Sequence, residues 1–155
     1  DCARGIPFFL TRVDRAGNVT KRVNPTHAEL ADTGGRCPVW NIHDAYQRPD
    51  VVLPQLVEMW DDKRYITIAR TTERPVFSRQ TQERRMVVVL GCEAQYHDQI
   101  AYFDTLAANK TSNFARIGLN CHTCPRQKCA QRAHQPVHIR LNFDTHRRGA
   151  TRFEN

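Results

Sequence analysis

The sequence predicts an α+β fold, an antiparallel sheet with helices packed on it, from three observations. The apolar runs are strand-sized, they come first as a pair and later as a set of three, and the helical patterns between and after them are short. A chain of 155 residues and 17.9 kDa is also the size of one domain with one core.

The elements follow in order. Ile6–Val13 and Val19–Val23 flank Asp14-Arg15-Ala16-Gly17-Asn18, which predicts strand, turn, strand, with Gly17-Asn18 supplying the positive φ of a hairpin. Thr26-His27-Ala28-Glu29-Leu30 has capping-box spacing from Thr26 to Glu29 and predicts one helical turn that stops at Gly34-Gly35. A second short helix is expected over 38–47, started by Pro38 and ended before Arg48-Pro49. Three further strands are expected at Val51–Met59, Tyr65–Thr71 and Met86–Leu90, the first two joined tightly by Asp61-Asp62-Lys63. The polar stretch Glu73–Arg85 reads as a solvated loop. Residues 97–108 place Ile100, Phe103, Leu106 and Ala107 at helical spacing, as an amphipathic helix whose apolar side is core. The sum is a sandwich of the GAF/PAS-like sensor type with a cysteine-rich metal-binding loop. Its organisation is a sensory domain over 1–141, with the metal site at 92–129, and a polar basic tail over 142–155.

Composition narrows the function. The chain is 40% hydrophobic and 25% charged, with 7 Gly and 8 Pro, which excludes collagen-like and low-complexity classes. Twenty-three Lys plus Arg against 16 Asp plus Glu leave a charge of +7, so polyanions, phosphorylated small molecules and acidic partners all suit it. The longest apolar strings, such as Met86–Leu90, fall far short of a membrane span. Asp1-Cys2-Ala3-Arg4-Gly5 lacks an initiator Met and signal-peptide order, and reads as the interior of a longer chain.

Six cysteines carry the clearest chemical signal. Cys121, Cys124 and Cys129 form C-x2-C-x4-C, whose knuckle lets sulfurs converge on one ion while backbone amides offset their charge. The fourth ligand comes from Cys92 or Cys37. Cys92 is preferred, because it stands where the strand Met86–Leu90 runs out and its thiol is held rigidly, whereas Cys37-Pro38 opens a helix. His122, His134 and His138 keep a mixed site open. Four thiolates suit Zn2+ and an iron–sulfur cluster such as [4Fe-4S]; the spacing, unlike the paired knuckles of zinc ribbons, favours iron–sulfur. Buried thiols, or a Cys124–Cys129 disulfide, are the bland alternative. A reducing, cytoplasmic compartment follows from either metal reading.

Catalytic signatures are weak. No G-x-S-x-G, P-loop, H-E-x-x-H or dinucleotide fingerprint occurs, and His43-Asp44 and His97-Asp98 are sequence neighbours that point apart on a helix. The expectation is that the chain is not an enzyme.

Several motifs in one order carry a resemblance. They are Ala3-Arg4-Gly5-Ile6-Pro7-Phe8-Phe9, Arg12-Val13-Asp14, Gly17-Asn18-Val19, Gly34-Gly35-Arg36-Cys37-Pro38-Val39-Trp40-Asn41-Ile42-His43, Tyr65–Arg70, Leu90-Gly91-Cys92, and Ile117 through Arg132-Ala133. From about residue 3 to 140 the chain resembles the C-terminal domain of the short-chain fatty acyl-coenzyme A regulators, bacterial transcription factors of the XRE type. The resemblance implies a regulator of acetate, propionate and related metabolism with an acyl-CoA effector. It implies that the protein reaches DNA through a helix-turn-helix domain outside this chain; a homodimer is also expected, and the short apolar runs predict no membrane partner. Trp40, Phe8 and Phe9 are candidates to line an acyl or adenine pocket, although core aromatics are the commoner case. A metal-stabilised nucleic-acid-binding module, supported by the charge of +7 and the Arg-rich tail, is the alternative, and a thiol–disulfide enzyme using Cys121 and Cys124 a third reading.

Overall fold

The computed structural model describes residues 5–30, 36–73, 85–108 and 113–138. Cys2, Gly34-Gly35, the interior of the Glu73–Arg85 connection, the Ala107 side chain and the basic tail lie outside them.

The expected hairpin forms from β1 (Phe9–Val13) and β2 (Val19–Val23), paired antiparallel. Its turn is closed by Asp14, whose carboxylate accepts from the amides of Ala16 and Asn18, and Gly17 takes φ of 81°. Next come a short helix α1 (Asp44–Gln47) and three strands, β3 (Leu53–Glu58), β4 (Arg64–Glu73) and β5 (Arg85–Glu93). A 3-10 segment (Ala94–Gln99), helix α2 (Ala101–Ala108) and the two-residue β6 (Ala115–Arg116) complete the order. The sheet runs β2-β1-β5-β4-β3-β6.

Four sequence expectations need correction. The expected 97–108 helix is broken at Ile100, whose extended backbone separates the 3-10 segment from α2. The sheet is mixed, because β6 pairs parallel to β3. Thr26–Leu30 is not helical: the Thr26 hydroxyl accepts from the Ala28 amide, while Glu29 is drawn to the indole N–H of Trp60 at 3.2 Å and caps nothing. The 38–47 helix shrinks to α1, since the preceding backbone is committed elsewhere: the Asn41 amide donates to Gln55 Oε1 and its side chain to the Leu53 carbonyl, both at 3.0 Å.

Strand parity sorts the core onto two faces. On the first, Phe9, Val13, Val57, Tyr65, Ala69, Val87 and Val89 meet Trp40, Ile42, Ala45 and Ile117. Each fully buried aliphatic there contributes about 1.5–3 kcal/mol. The Tyr46 hydroxyl ties the loop to the sheet by donating to the Val13 carbonyl at 2.8 Å. Phe9 lies over its cross-strand partner Gly91, where a Cβ would fall 2.1 Å from the ring. On the second face Leu56, Ile66 and Cys92 are covered by Ile100, Phe103 and Leu106, with Ile6 and Phe8 alongside.

Candidate functional site

The strand β5 runs three residues past Leu90 because β4 goes on pairing with it, Ile66 to Cys92 and Tyr65 to Glu93, after β1 has ended opposite Gly91. Cys92 is therefore inside a strand rather than at its end. It shares the second face with its pair partner Ile66, is fully buried, and lies on the opposite side of the sheet from the cysteine loop. Burial pushes its thiol up to about 11, helped by the neighbouring charge of Glu93. The preferred fourth ligand is thus separated from the other three.

Cys37 is placed with them. One narrow recess, with free room for about one water molecule, is lined by Cys37, Cys121, Cys124 and Cys129, with Gly118, Arg126 and Arg132. The Cys37 thiol is pushed up by burial, against the backbone amides of Gly118 and Val39 that hydrogen-bond its sulfur. Cys37 and Cys124 are buried, Cys121 and Cys129 half-buried, and all four are free thiols.

Local sequence builds this loop. The Asn120 carboxamide accepts from both the amide and the hydroxyl of Thr123, at 3.0 and 3.1 Å, and so turns the chain across Cys121–Cys124. Gly118 is needed where the loop leaves β6, since a Cβ there would meet Cys124 Sγ at 2.8 Å. Arg126 reaches back to the sheet and donates to the carbonyls of Glu58 and Met59 at 3.1 and 2.8 Å. Arg132, only 4% exposed, donates to the carbonyls of Cys121, His134 and Arg126 and so holds the loop on itself. These two arginines and Asn120 escaped the sequence reading, though cations inside a thiol cluster are the signal that marks them. His122 and His134 are exposed and stack on each other with centroids 4.6 Å apart, outside the recess.

Among the described residues, no group of three or more His, Cys, Asp or Glu side chains is placed to hold a metal ion. The recess nevertheless fits a metal centre by its chemistry. Its cysteine sulfurs are joined by no carboxylate, and Nε of both Arg126 and Arg132 is buried without a hydrogen-bond partner. Two guanidinium groups beside four thiols offset the negative charge that a tetrathiolate centre carries.

Gly118 also lines a second, narrow space, with free room for about one water molecule, on the first face of the sheet. Its walls are mainly apolar: Phe9, Trp40, Val57, Met59, Tyr65 and Ile117 are among them. Arg36 supplies a buried cation, set 5.7 Å from the centroid of the Trp40 ring and donating to the Thr11 hydroxyl at 2.9 Å. The Trp40 indole N–H donates to Thr67 Oγ1 at 3.4 Å. Trp40 and Phe9 thus fall together on one pocket, whereas Phe8, one residue out of phase, faces the other side of the sheet.

The profile described as "Short-chain fatty acyl coenzyme A regulator, C-terminal" matches residues 1–153. The chain is 41% identical over 152 residues to a propionyl-CoA carboxylase regulator of Cereibacter sphaeroides, covering 98% of this chain and 32% of that one. It is 35% identical over 146 residues to the HTH-type transcriptional regulator RamB of Mycobacterium tuberculosis, covering 93% of this chain and 31% of the relative. The HTH-type regulator PrpR of the same organism is 35% identical over 130 residues, 84% of this chain and 27% of the relative. A solved Mycobacterium tuberculosis transcriptional regulator superposes with a TM-score of 0.86 at 31% identity, covering 98% of this chain and 46% of that one. The chain spans about a third of the length of the curated relatives it matches.

Proposed function

Because this chain belongs to the short-chain fatty acyl coenzyme A regulators, in the C-terminal part of that family, we propose that it is the sensory domain of a cytoplasmic transcriptional regulator of short-chain acyl metabolism. It binds a short-chain acyl-CoA, holds a metal centre, and acts on DNA through a helix-turn-helix domain outside this chain. Relatives named as HTH-type and propionyl-CoA carboxylase regulators support the reading. So does the absence, among the described residues, of a helix long and apolar enough to cross a membrane.

The observation that carries the proposal is the pair of spaces that meet at Gly118. The apolar one, walled by Trp40, Phe9, Met59 and Ile117, has the lining for a short acyl chain once its walls part to admit one, and the Arg36 guanidinium suits the polar end of that group or a phosphate. A pocket enclosed against one face of a sheet also supports the GAF/PAS-like sensor reading. Cys37, Cys121, Cys124 and Cys129 would hold a [4Fe-4S] cluster or Zn2+, which supplies a cross-link between the Cys37 segment and the loop after β6. Arg126 and Arg132 would neutralise its charge and anchor the loop to Glu58 and Met59.

Calorimetry of the anaerobically purified chain with acetyl-CoA, propionyl-CoA and free coenzyme A tests the effector. The expected result is tighter binding of the acylated forms, lost in Met59→Trp, which fills the pocket. Equal binding of free coenzyme A, or binding indifferent to Met59→Trp, overturns the pocket assignment. Metal and sulfide analysis with a visible spectrum tests the centre: a broad band near about 400 nm selects iron–sulfur, and a colourless chain with stoichiometric zinc selects zinc.

A further inference from the structure

The apolar space beside Trp40 has room for about one water molecule, so anything larger enters only if a wall moves. Its walls are not equally held. Phe9, Val57 and Tyr65 stand on paired strands, Val57 opposite Tyr65 and Phe9 opposite Gly91. Trp40 is fixed by its indole bond to Thr67 and by its neighbour Asn41, whose amide and side chain both bind β3. Ile117 donates its amide to the Glu58 carbonyl at 2.9 Å, and Arg126 grips the Met59 carbonyl at 2.8 Å.

The wall made by Ala28, Glu29 and Leu30 is built differently. It belongs to a strap, residues 24–30, that leaves β2 after Val23. The hydrogen bonds of the strap are mostly internal: the Asn24 side chain donates to the Ala28 carbonyl at 2.7 Å and accepts from the Thr26 amide, and the Thr26 hydroxyl accepts from the Ala28 amide at 3.1 Å. Residues 24–28 are therefore one self-braced unit. Among the described residues, no backbone–backbone hydrogen bond ties 24–30 to the sheet. Arg22 donates to the Leu30 carbonyl, but Arg22 stands on β2, the strand the strap grows from. The tie to the far side is the Trp60 indole N–H, which donates to Glu29 at 3.2 Å from the turn between β3 and β4. Trp60 is 43% exposed and Glu29 is exposed, so water competes for both. Beneath them only Ala28 is buried, with Leu30 half-buried beside it. A segment with few buried apolar contacts and solvent-exposed hydrogen bonds is one that opens locally while the rest stays folded.

We propose that the strap of residues 24–30 is the door of the apolar space, hinged where β2 ends at Val23 and latched by the hydrogen bond between Trp60 and Glu29. Opening lifts Ala28 and Leu30 off the sheet and uncovers Val57 and Met59, while the strands, the Trp40 loop and the thiol recess keep their places. That an acyl group passes this door rests on the effector reading; the door itself does not.

Thiol labelling under native conditions is the test. Val57 lines the space at 1% exposure, whereas Val89, at 0%, is buried on the same face outside it. In Val57→Cys and Val89→Cys chains, alkylation by iodoacetamide is followed at the substituted position by peptide mass spectrometry. Adding Glu29→Ala or Trp60→Phe is expected to speed labelling of Val57→Cys about fivefold, the effect of one hydrogen bond, and both together no further than either alone. Labelling of Val89→Cys should not change. Unchanged labelling of Val57→Cys in both latch variants overturns the proposal, as does an equal acceleration in Val89→Cys, which would mean that the whole face loosens. Stopped-flow mixing with propionyl-CoA separates the two readings. Faster labelling without any acyl-CoA binding keeps the door and removes the acyl group from it, and faster association in both latch variants supports door and effector together.

Discussion

If the proposed metal centre is bound, replacing Cys37 by Ala is expected to deplete it, while Cys92→Ala is expected to leave it. Both side chains are buried, at 7% and 0% exposure, so burial alone does not distinguish them. What does is the side of the sheet: Cys37 lines the recess of Cys121, Cys124 and Cys129, and Cys92 packs with Leu56 and Ile66 on the opposite face. A structural tetrathiolate site is worth about 10–16 kcal/mol, so losing one of four ligands costs about 3–4 kcal/mol, a 10²- to 10³-fold drop in affinity. Cys92→Ala removes one buried sulfur from an apolar cluster, costing about 1 kcal/mol and lowering Tm by about 2–4 °C. Metal and sulfide analysis of both variants after gel filtration, with thermal melts followed by circular dichroism, reads both numbers. Full metal content in Cys37→Ala, or loss of metal in Cys92→Ala with Cys37 intact, would refute the reasoning from strand parity.

Three further outcomes are expected. Gly91→Ala should be more damaging than a typical surface change, because its Cβ would meet the Phe9 ring at 2.1 Å; denaturant melts should register a loss of about 1–3 kcal/mol or no folded protein. Stability should fall at alkaline pH: the Cys92 thiol titrates near 9 when unfolded and is raised to about 11 when folded, so its contribution is complete below pH 9 and lost by pH 11. Tyr46, pushed up to about 12 by burial, extends the decline upward from pH 10, and Cys92→Ala should flatten the lower part of it. Gly118→Ala should lower metal content and acyl-CoA affinity together, since its Cβ would press on Cys124 Sγ at 2.8 Å in a wall common to both spaces; a change in one alone would contradict the shared wall.

The parts of this molecule legible in its sequence are those governed by local rules. The hairpin follows from Gly17-Asn18 and the alternation on either side, and Phe103 and Leu106 fall on the covered side of α2 as their spacing predicts, whereas Ile100 reaches that side from extended backbone before the helix rather than from within it. Where a strand stops is decided by its neighbours instead. Met86–Leu90 shows no reason in its own residues to continue, but pairing to β1 reaches Gly91 and pairing to β4 carries the ladder on through Cys92. That extension decides which face Cys92 occupies. Phe8 and Phe9 make the same point, since adjacent aromatics in a strand serve opposite sides. Thr26–Glu29 has the letters of a capping box, yet Glu29 finds Trp60, 31 residues away. β6 exists only because the Ile117 amide reaches the Glu58 carbonyl at 2.9 Å beside it, a long-range event with no local signature.

The partition formed by Gly118 has a thermodynamic corollary. Two ligands that press on one movable wall cannot bind independently, and linkage makes their mutual influence equal in both directions. If occupancy of the thiol recess alters the grip on an acyl group by some factor, that acyl group alters the hold on the inorganic centre by the same factor. If the proposed acyl group and metal centre both bind at this wall, the threshold for one would drift with the abundance of the other.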